Sequence, residues 1–171
     1  MKKNFNIFMI IFFLIAGKTD AQNIEVDGQW VLTLNVSDFT AATWDQPTIT
    51  SQSTENEILV NIYTYTGGLS WLWELLSNYG WIVSIRLSDV SNWPSTFNLY
   101  ARRTGDGSSP YGGSISGGDS WIEVPRSSSQ QFFTGSKLKN DIPIQYELRN
   151  ISVDVAPGVY TTTVLYTITS S

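Results

Sequence analysis

The 171-residue chain contains no cysteine and no histidine, and its 10 basic and 15 acidic residues leave a net charge of −5. The two missing residue types exclude Ser-His-Asp and Cys-His catalysis, zinc held tetrahedrally by Cys or His, and disulfide bracing. The acidic balance argues against a phosphate backbone as partner, so no nucleic acid is expected.

The chain begins "MKKNFNIFMIIFFLIAG", where Lys2 and Lys3 precede an apolar run over residues 5–16. Thr19 and Ala21 then bracket Asp20. A basic start, a short apolar stretch and a small-residue site read as a secretory signal peptide. The apolar run falls short of the ~20 residues of a membrane span. The expectation is a signal peptide over 1–21 and a single β-sandwich domain over 22–171, exported to the periplasm, the cell surface or the medium, with no membrane span after cleavage. A lipid anchor is excluded, because no cysteine is there to acylate.

From residue 24 onward the dominant period is two. "IEVDGQWVLTLNV" (24–36) places Trp30, Leu32, Leu34 and Val36 on one face. "EILVNIYTYT" (57–66) alternates Ile58, Val60 and Ile62 with Leu59, Asn61 and Tyr63. The stretch 69–80, "LSWLWELLSNYG", fits neither period and suggests a short helical segment near 69–79. "WIVSIRLSDV" (81–90) sets Trp81, Val83, Ile85 and Leu87 against Ser84, Arg86 and Ser88. "TFNLYARRT" (96–104) sets Phe97, Leu99 and Ala101 against Asn98, Tyr100 and Arg102. The fifteen residues 104–118 hold six glycines and one proline, and read as a long flexible loop. Shorter strands are expected at Trp121 and Gln131. "IPIQYELRNISVDV" (142–155) lines up Ile142, Ile144, Tyr146 and Leu148, and then shifts by one residue near Asn150 to bring in Ile151 and Val153, the mark of a bulge. The last strand follows Pro157-Gly158 and alternates Tyr160, Thr162, Val164, Tyr166 and Ile168 with Val159, Thr161, Thr163, Leu165 and Thr167. Short β-branched and aromatic runs between Gly, Ser, Asn and Pro predict an all-β, antiparallel, immunoglobulin-like β-sandwich of seven to eight strands.

Chemistry is sparsely provided for. Asp27, Asp38, Asp45, Glu74, Asp89, Asp119 and Glu123 are candidate carboxylates, but no spacing singles out a glycosidase-type pair. "TGDGSS" around Asp106 lacks the further acidic ligands of a calcium loop. No cofactor, metal site or catalytic residue is expected, and the chain reads as a non-enzyme. Trp71, Trp73, Tyr79 and Trp81 crowd eleven residues, and Trp44, Trp93, Tyr111 and Trp121 lie in or beside loops. Trp30 and Trp81 alternate with aliphatic residues and belong to the core. Trp71, Trp73 and Tyr111 are the candidates for partner or glycan contact. Arg102-Arg103 could grip an anion or cap nearby acidic residues. Asn35 and Asn150 match the N-glycosylation pattern.

The C-terminal stretch 142–169 resembles the ending of bacterial secreted sandwich domains of the spore coat protein U and fimbrial-subunit kind. The residues that carry this are Pro157, Gly158, Tyr160, Thr162, Val164 and Ile168, a turn followed by a Thr/Val-rich terminal strand. The resemblance implies an immunoglobulin-like sandwich and an extracytoplasmic role in assembly or adhesion. The leading expectation is therefore a secreted structural or adhesive surface protein acting through strand edges and aromatic patches, with Tyr160, Thr162, Val164, Tyr166 and Ile168 as the strand-pairing edge. The partner would be itself or another secreted subunit. The alternatives are a carbohydrate-binding module using exposed Trp residues, a small outer-membrane β-barrel and a two-carboxylate enzyme.

Overall fold

The computed structural model describes residues 22–33, 48–63, 76, 79–152, 155 and 158–171. The expected signal peptide, Trp71, Trp73, Asn35 and most of the expected helical segment lie outside these residues; within that segment Leu76 is helical and exposed.

The described strands are β1 (Asn23–Asp27), β2 (Thr48–Gln52), β3 (Ile58–Tyr63), β4 (Gly80–Asp89), β5 (Asn98–Arg103), β6 (Ile115–Ser116), β7 (Ile122–Glu123), β8 (Gln130–Ser136), β9 (Lys139–Ser152) and β10 (Thr163–Ser170). They form two antiparallel sheets packed face to face. One runs β1-β3-β9-β5-β7, with β2 also paired to β9, and the other runs β10-β4-β8-β6. The fold is an all-β sandwich, as the alternation predicts, with more strands than the sequence pattern shows. Among the described residues both sheets have open edges around an apolar interior, which is the arrangement of a sandwich and not of a closed barrel.

No two strands consecutive in the chain are paired among the described residues. From β3 to β10 every connection crosses from one sheet to the other. The pairs β3·β9, β4·β8 and β5·β7 nest around β6, so the chain is a long antiparallel ribbon folded at β6 and rolled into two layers, as in jelly rolls. One crossing takes only two residues. Between β8 and β9, Lys137 adopts φ 60°, its N–H donates to Tyr79 O (3.0 Å), and its carbonyl accepts from the Trp81 indole (2.7 Å).

The core is the inner face of both sheets. β4 contributes Trp81, Val83, Ile85 and Leu87, and β9 contributes Ile142, Ile144, Tyr146 and Leu148, all buried. Full burial of one such side chain is worth roughly 1.5–3 kcal/mol, and that burial stands in for absent disulfides. Trp81 lies edge-on to Phe133, with ring centroids 6.0 Å apart. β8 carries a bulge opposite the Val83/Ser84 step, and both Phe132 and Phe133 are buried there. Trp30 is half-buried and stacks on Tyr146 at 6.4 Å. It does so from beyond β1, because the first strand stops at Asp27 and residues 28–33 are not strand. Gly28 takes φ +107°, and a Cβ there would collide with the Glu57 carbonyl.

β9 bends twice. Its extra residues are Asp141, opposite the Val60/Ile62 step, and Asn150, opposite the Ile49/Ser51 step, with φ 54° and 60°. Short polar side chains tolerate this left-handed region best. The shift near Asn150 was legible in sequence. At the other bulge the Asp141 N–H donates to Asn61 Oδ1 (2.8 Å), and Asn61 Nδ2 donates to Asp27 (3.1 Å), tying β9, β3 and β1 together.

The glycine-rich stretch 104–118 is pinned along its length, contrary to the flexible loop expected. Buried Arg103 points into it: Nε donates to Gly117 O (3.1 Å), Nη1 to Gly105 O (2.7 Å) and to Asp106, while its backbone N–H bonds Gly118 O (2.5 Å). Ser108 bridges Asn140, and Ile115–Ser116 pairs with β8.

Candidate functional site

Among the described residues β10 is the terminal strand of its sheet, with β4 as its one paired neighbour. Its approach is fixed by two side chains: Asn92 Nδ2 donates to Val159 O (2.8 Å) and Thr162 Oγ1 to Asp89 O (2.5 Å). At the same corner Asp89 Oδ1 accepts from Ser91 Oγ and N–H, which holds its carboxyl below the usual carboxylate range. Within β10, Val164, Tyr166 and Ile168 turn their side chains inward, and Thr163, Leu165, Thr167 and Thr169 are exposed. Tyr166 reaches across the core to Tyr146, hydroxyl to hydroxyl at 2.6 Å. Burial raises both phenols well above the ordinary 10.0, so both stay neutral.

The backbone of β10 divides the same way. Ser171 N–H donates to Gly80 O at 3.2 Å, so Ser171 faces β4. In an antiparallel ladder this alternates, and the regular register from Val164 to Ser170 carries it to Thr169, Thr167 and Leu165. Val164, Tyr166, Ile168 and Ser170 therefore turn their N–H and C=O groups away from β4, toward the open edge. Three of the five residues expected at a pairing edge, Val164, Tyr166 and Ile168, lie on this row. Tyr160 and Thr162 precede the strand; Tyr160 packs edge-on against Phe97 (5.8 Å).

This edge differs from the others described. β6 and β7 are two residues each, and β2 is five. β1 is five residues and carries Glu25 and Asp27. β10 is eight residues of "TVLYTITS", with no charge, proline or glycine. Natural edges are usually blunted by charge, proline, bulges or brevity; β10 has only a register shift at its start, between Thr163 and Val164, where the extra residue is Ser88 of β4. β1 comes near β10 without pairing with it.

A second polar assembly covers the outer face of the other sheet. Register places Glu123, Tyr100, Glu147 and Gln52 in one row across β7, β5, β9 and β2, beside Arg102 opposite Gln145. Gln145 and Glu147 are buried although they point away from the sandwich core. Gln52 Nε2 and Arg149 Nε both bond Glu147, Arg102 Nε donates to Gln145 Oε1 (3.0 Å), and Gln145 Nε2 to Ser53 O (2.8 Å). Arg102 lies over the Trp121 ring at 4.7 Å and Arg149 over Tyr100 at 3.8 Å. These polar groups are matched to one another, so the assembly reads as a lid that seals β9. A guanidinium over each ring also occupies a face that a sugar would need.

Among the expected contact residues, Tyr111 is half-buried, its carbonyl accepting from Lys137 Nζ (3.2 Å). The Arg102-Arg103 pair splits to opposite faces, Arg102 outward on Trp121 and Arg103 inward to the 104–118 stretch. Asp27, Asp89, Asp119 and Glu123 are exposed; Asp38, Asp45 and Glu74 lie outside the described residues. No group of three or more Asp or Glu residues that could hold a metal exists among the described residues, and no helix among them is long and apolar enough to cross a membrane. Asn150 is exposed at the β9 bulge. No family model, curated protein or solved structure matches the chain.

Proposed function

We propose that the chain is an exported, non-enzymatic structural or adhesive protein, pilin- or coat-like, that joins its partner by strand addition at β10. What supports this reading is the outward row of Val164, Tyr166, Ile168 and Ser170 backbone groups on an eight-residue, uncharged edge. An extended strand laid against that row gains main-chain hydrogen bonds without reshaping either fold. A core filled from both sheets and carboxylates scattered along the chain suit a scaffold better than a reaction centre.

A photo-crosslinking side chain at Thr167, on the exposed face of β10, tests this in the expressing cells, with Ser127 in the exposed 127–129 stretch as reference. Discrete protein adducts at 167 and none at 127 are expected. No adduct at 167, or the same adducts at both positions, would sink the reading.

A further inference from the structure

We infer that the partner at this edge is a second copy of the same chain, and that the two β10 strands pair antiparallel about a two-fold axis through Thr167. This rests on the strand-addition reading above and names its occupant.

The register follows from the parity of the strand. The outward backbone groups belong to the even-numbered residues 164 to 170, so hydrogen-bonded pairs must join even to even. Centring the two-fold at Thr167 sets Tyr166 against Ile168 of the second copy, and Val164 against Ser170 of the second copy, each pair exchanging two hydrogen bonds. It uses the whole of β10, whereas a two-fold at Tyr166 strands Ser170. The odd-numbered residues then form the non-hydrogen-bonded pairs: Thr167 with its own counterpart, and Leu165 with Thr169. The first is a hydroxyl-bearing β-branched pair of a kind that is favourable across strands, and the second sets no like charges against each other.

Charge selects the same arrangement. The chain is acidic overall, so two copies carry like net charge. β1 places Glu25 and Asp27 on its edge. β10 is uncharged from end to end, and self-pairing opposes no two like charges within the ladder. The product is one continuous sheet, β6-β8-β4-β10 joined to β10-β4-β8-β6 of the second copy. The interface is isologous and closes at two.

The absence of native cysteine makes the register directly readable. Three exposed positions are changed singly, Leu165→Cys, Thr167→Cys and Thr169→Cys, in purified chain 22–171 under mild oxidation. Non-hydrogen-bonded pairs bring Cα atoms to about 4.5 Å, within disulfide reach. The 167 variant is expected to link to itself. The 165 and 169 variants, whose own counterparts are four residues out of register and about 13 Å away, should link only when mixed with each other. Sedimentation of the unmodified chain should show a dimer. A purified monomer that yields no 167 link overturns self-pairing, and leaves strand addition standing if the cellular adducts persist with another protein. A dimer that does not link at 167, or equal linking of all three variants alone, overturns this register. Absence of cellular adducts as well removes the underlying reading.

Discussion

Replacing Gly135 with alanine tests whether the interior is packed as tightly as described. Gly135 sits opposite Trp81 in the β4·β8 ladder. An added Cβ would lie 2.5 Å from Trp81 Cζ2, closer still to Cη2, and 2.6 Å from Ser114 O. Trp81 is fully buried, its indole N–H held by Lys137 O at 2.7 Å and its ring edge-on to Phe133. It has no room to retreat, and the Ser114 carbonyl belongs to the backbone that bonds Ser136 (2.9 Å). Overpacking of this kind costs about 1–3 kcal/mol, and the upper end applies where two rigid groups block the methyl. For a domain near 150 residues each kcal/mol lowers Tm by about 2–4 °C, so a fall of roughly 6–12 °C is expected in thermal unfolding followed by circular dichroism. Trp81→Phe shortens the ring at the point of collision. The double variant should therefore be more stable than the sum of the two single losses, by about 1 kcal/mol or more. A Gly135→Ala protein that melts within about 2 °C of the parent, or strictly additive losses, would refute the packing argument.

The buried Tyr146–Tyr166 pair gives a second expectation. Either single change to Phe leaves one buried hydroxyl without its partner at a cost of about 1–3 kcal/mol, while the double change to Phe should cost less than the two singles combined; urea unfolding measures this. Both phenols are raised in the folded state, so the stability they contribute is complete below the ordinary value of 10.0 and is lost as pH climbs beyond it. Melting profiles between pH 8 and 11 should fall more steeply for the parent than for the double Phe variant. Arg103→Leu removes the donor that holds the Gly105 and Gly117 carbonyls. It should lower stability by about 2–4 kcal/mol and make 104–118 the first site of limited proteolysis, as read by mass spectrometry.

Much of the fold is visible in local pattern. The inward faces of β4 and β5 follow the alternation Trp81/Val83/Ile85/Leu87 and Leu99/Ala101, because each strand is apolar on one side and polar on the other. The Asn150 bulge announces itself as a slip in that alternation. β2 escapes, since "TITSQ" has no aromatic residue and only one apolar residue, Ile49, so it shows no alternation. β6 escapes because two residues among glycines carry no period. The first strand reads as too long, because Trp30 and Leu32 keep an alternating spacing after Gly28 has turned the chain. Connectivity is not legible at all. Pairs such as Tyr100 with Glu147 are set by tertiary register between strands far apart in the chain, so the outer-face assembly of Arg102, Trp121, Gln145 and Glu147 is invisible from either segment alone. The β10 edge lies between these cases. Its inward face is plain in sequence, and its exposure depends on β4 being its one partner among the described strands.

Residue-resolved amide exchange along β10, measured by NMR at low and high protein concentration, tests strand addition most directly. Leu165, Thr167 and Thr169 donate toward β4 and should be protected at both concentrations. Val164, Tyr166, Ile168 and Ser170 should exchange fast in dilute protein and become protected as the protein associates. Fast exchange of those four amides at every concentration, with the odd-numbered amides protected throughout, would contradict pairing at this edge.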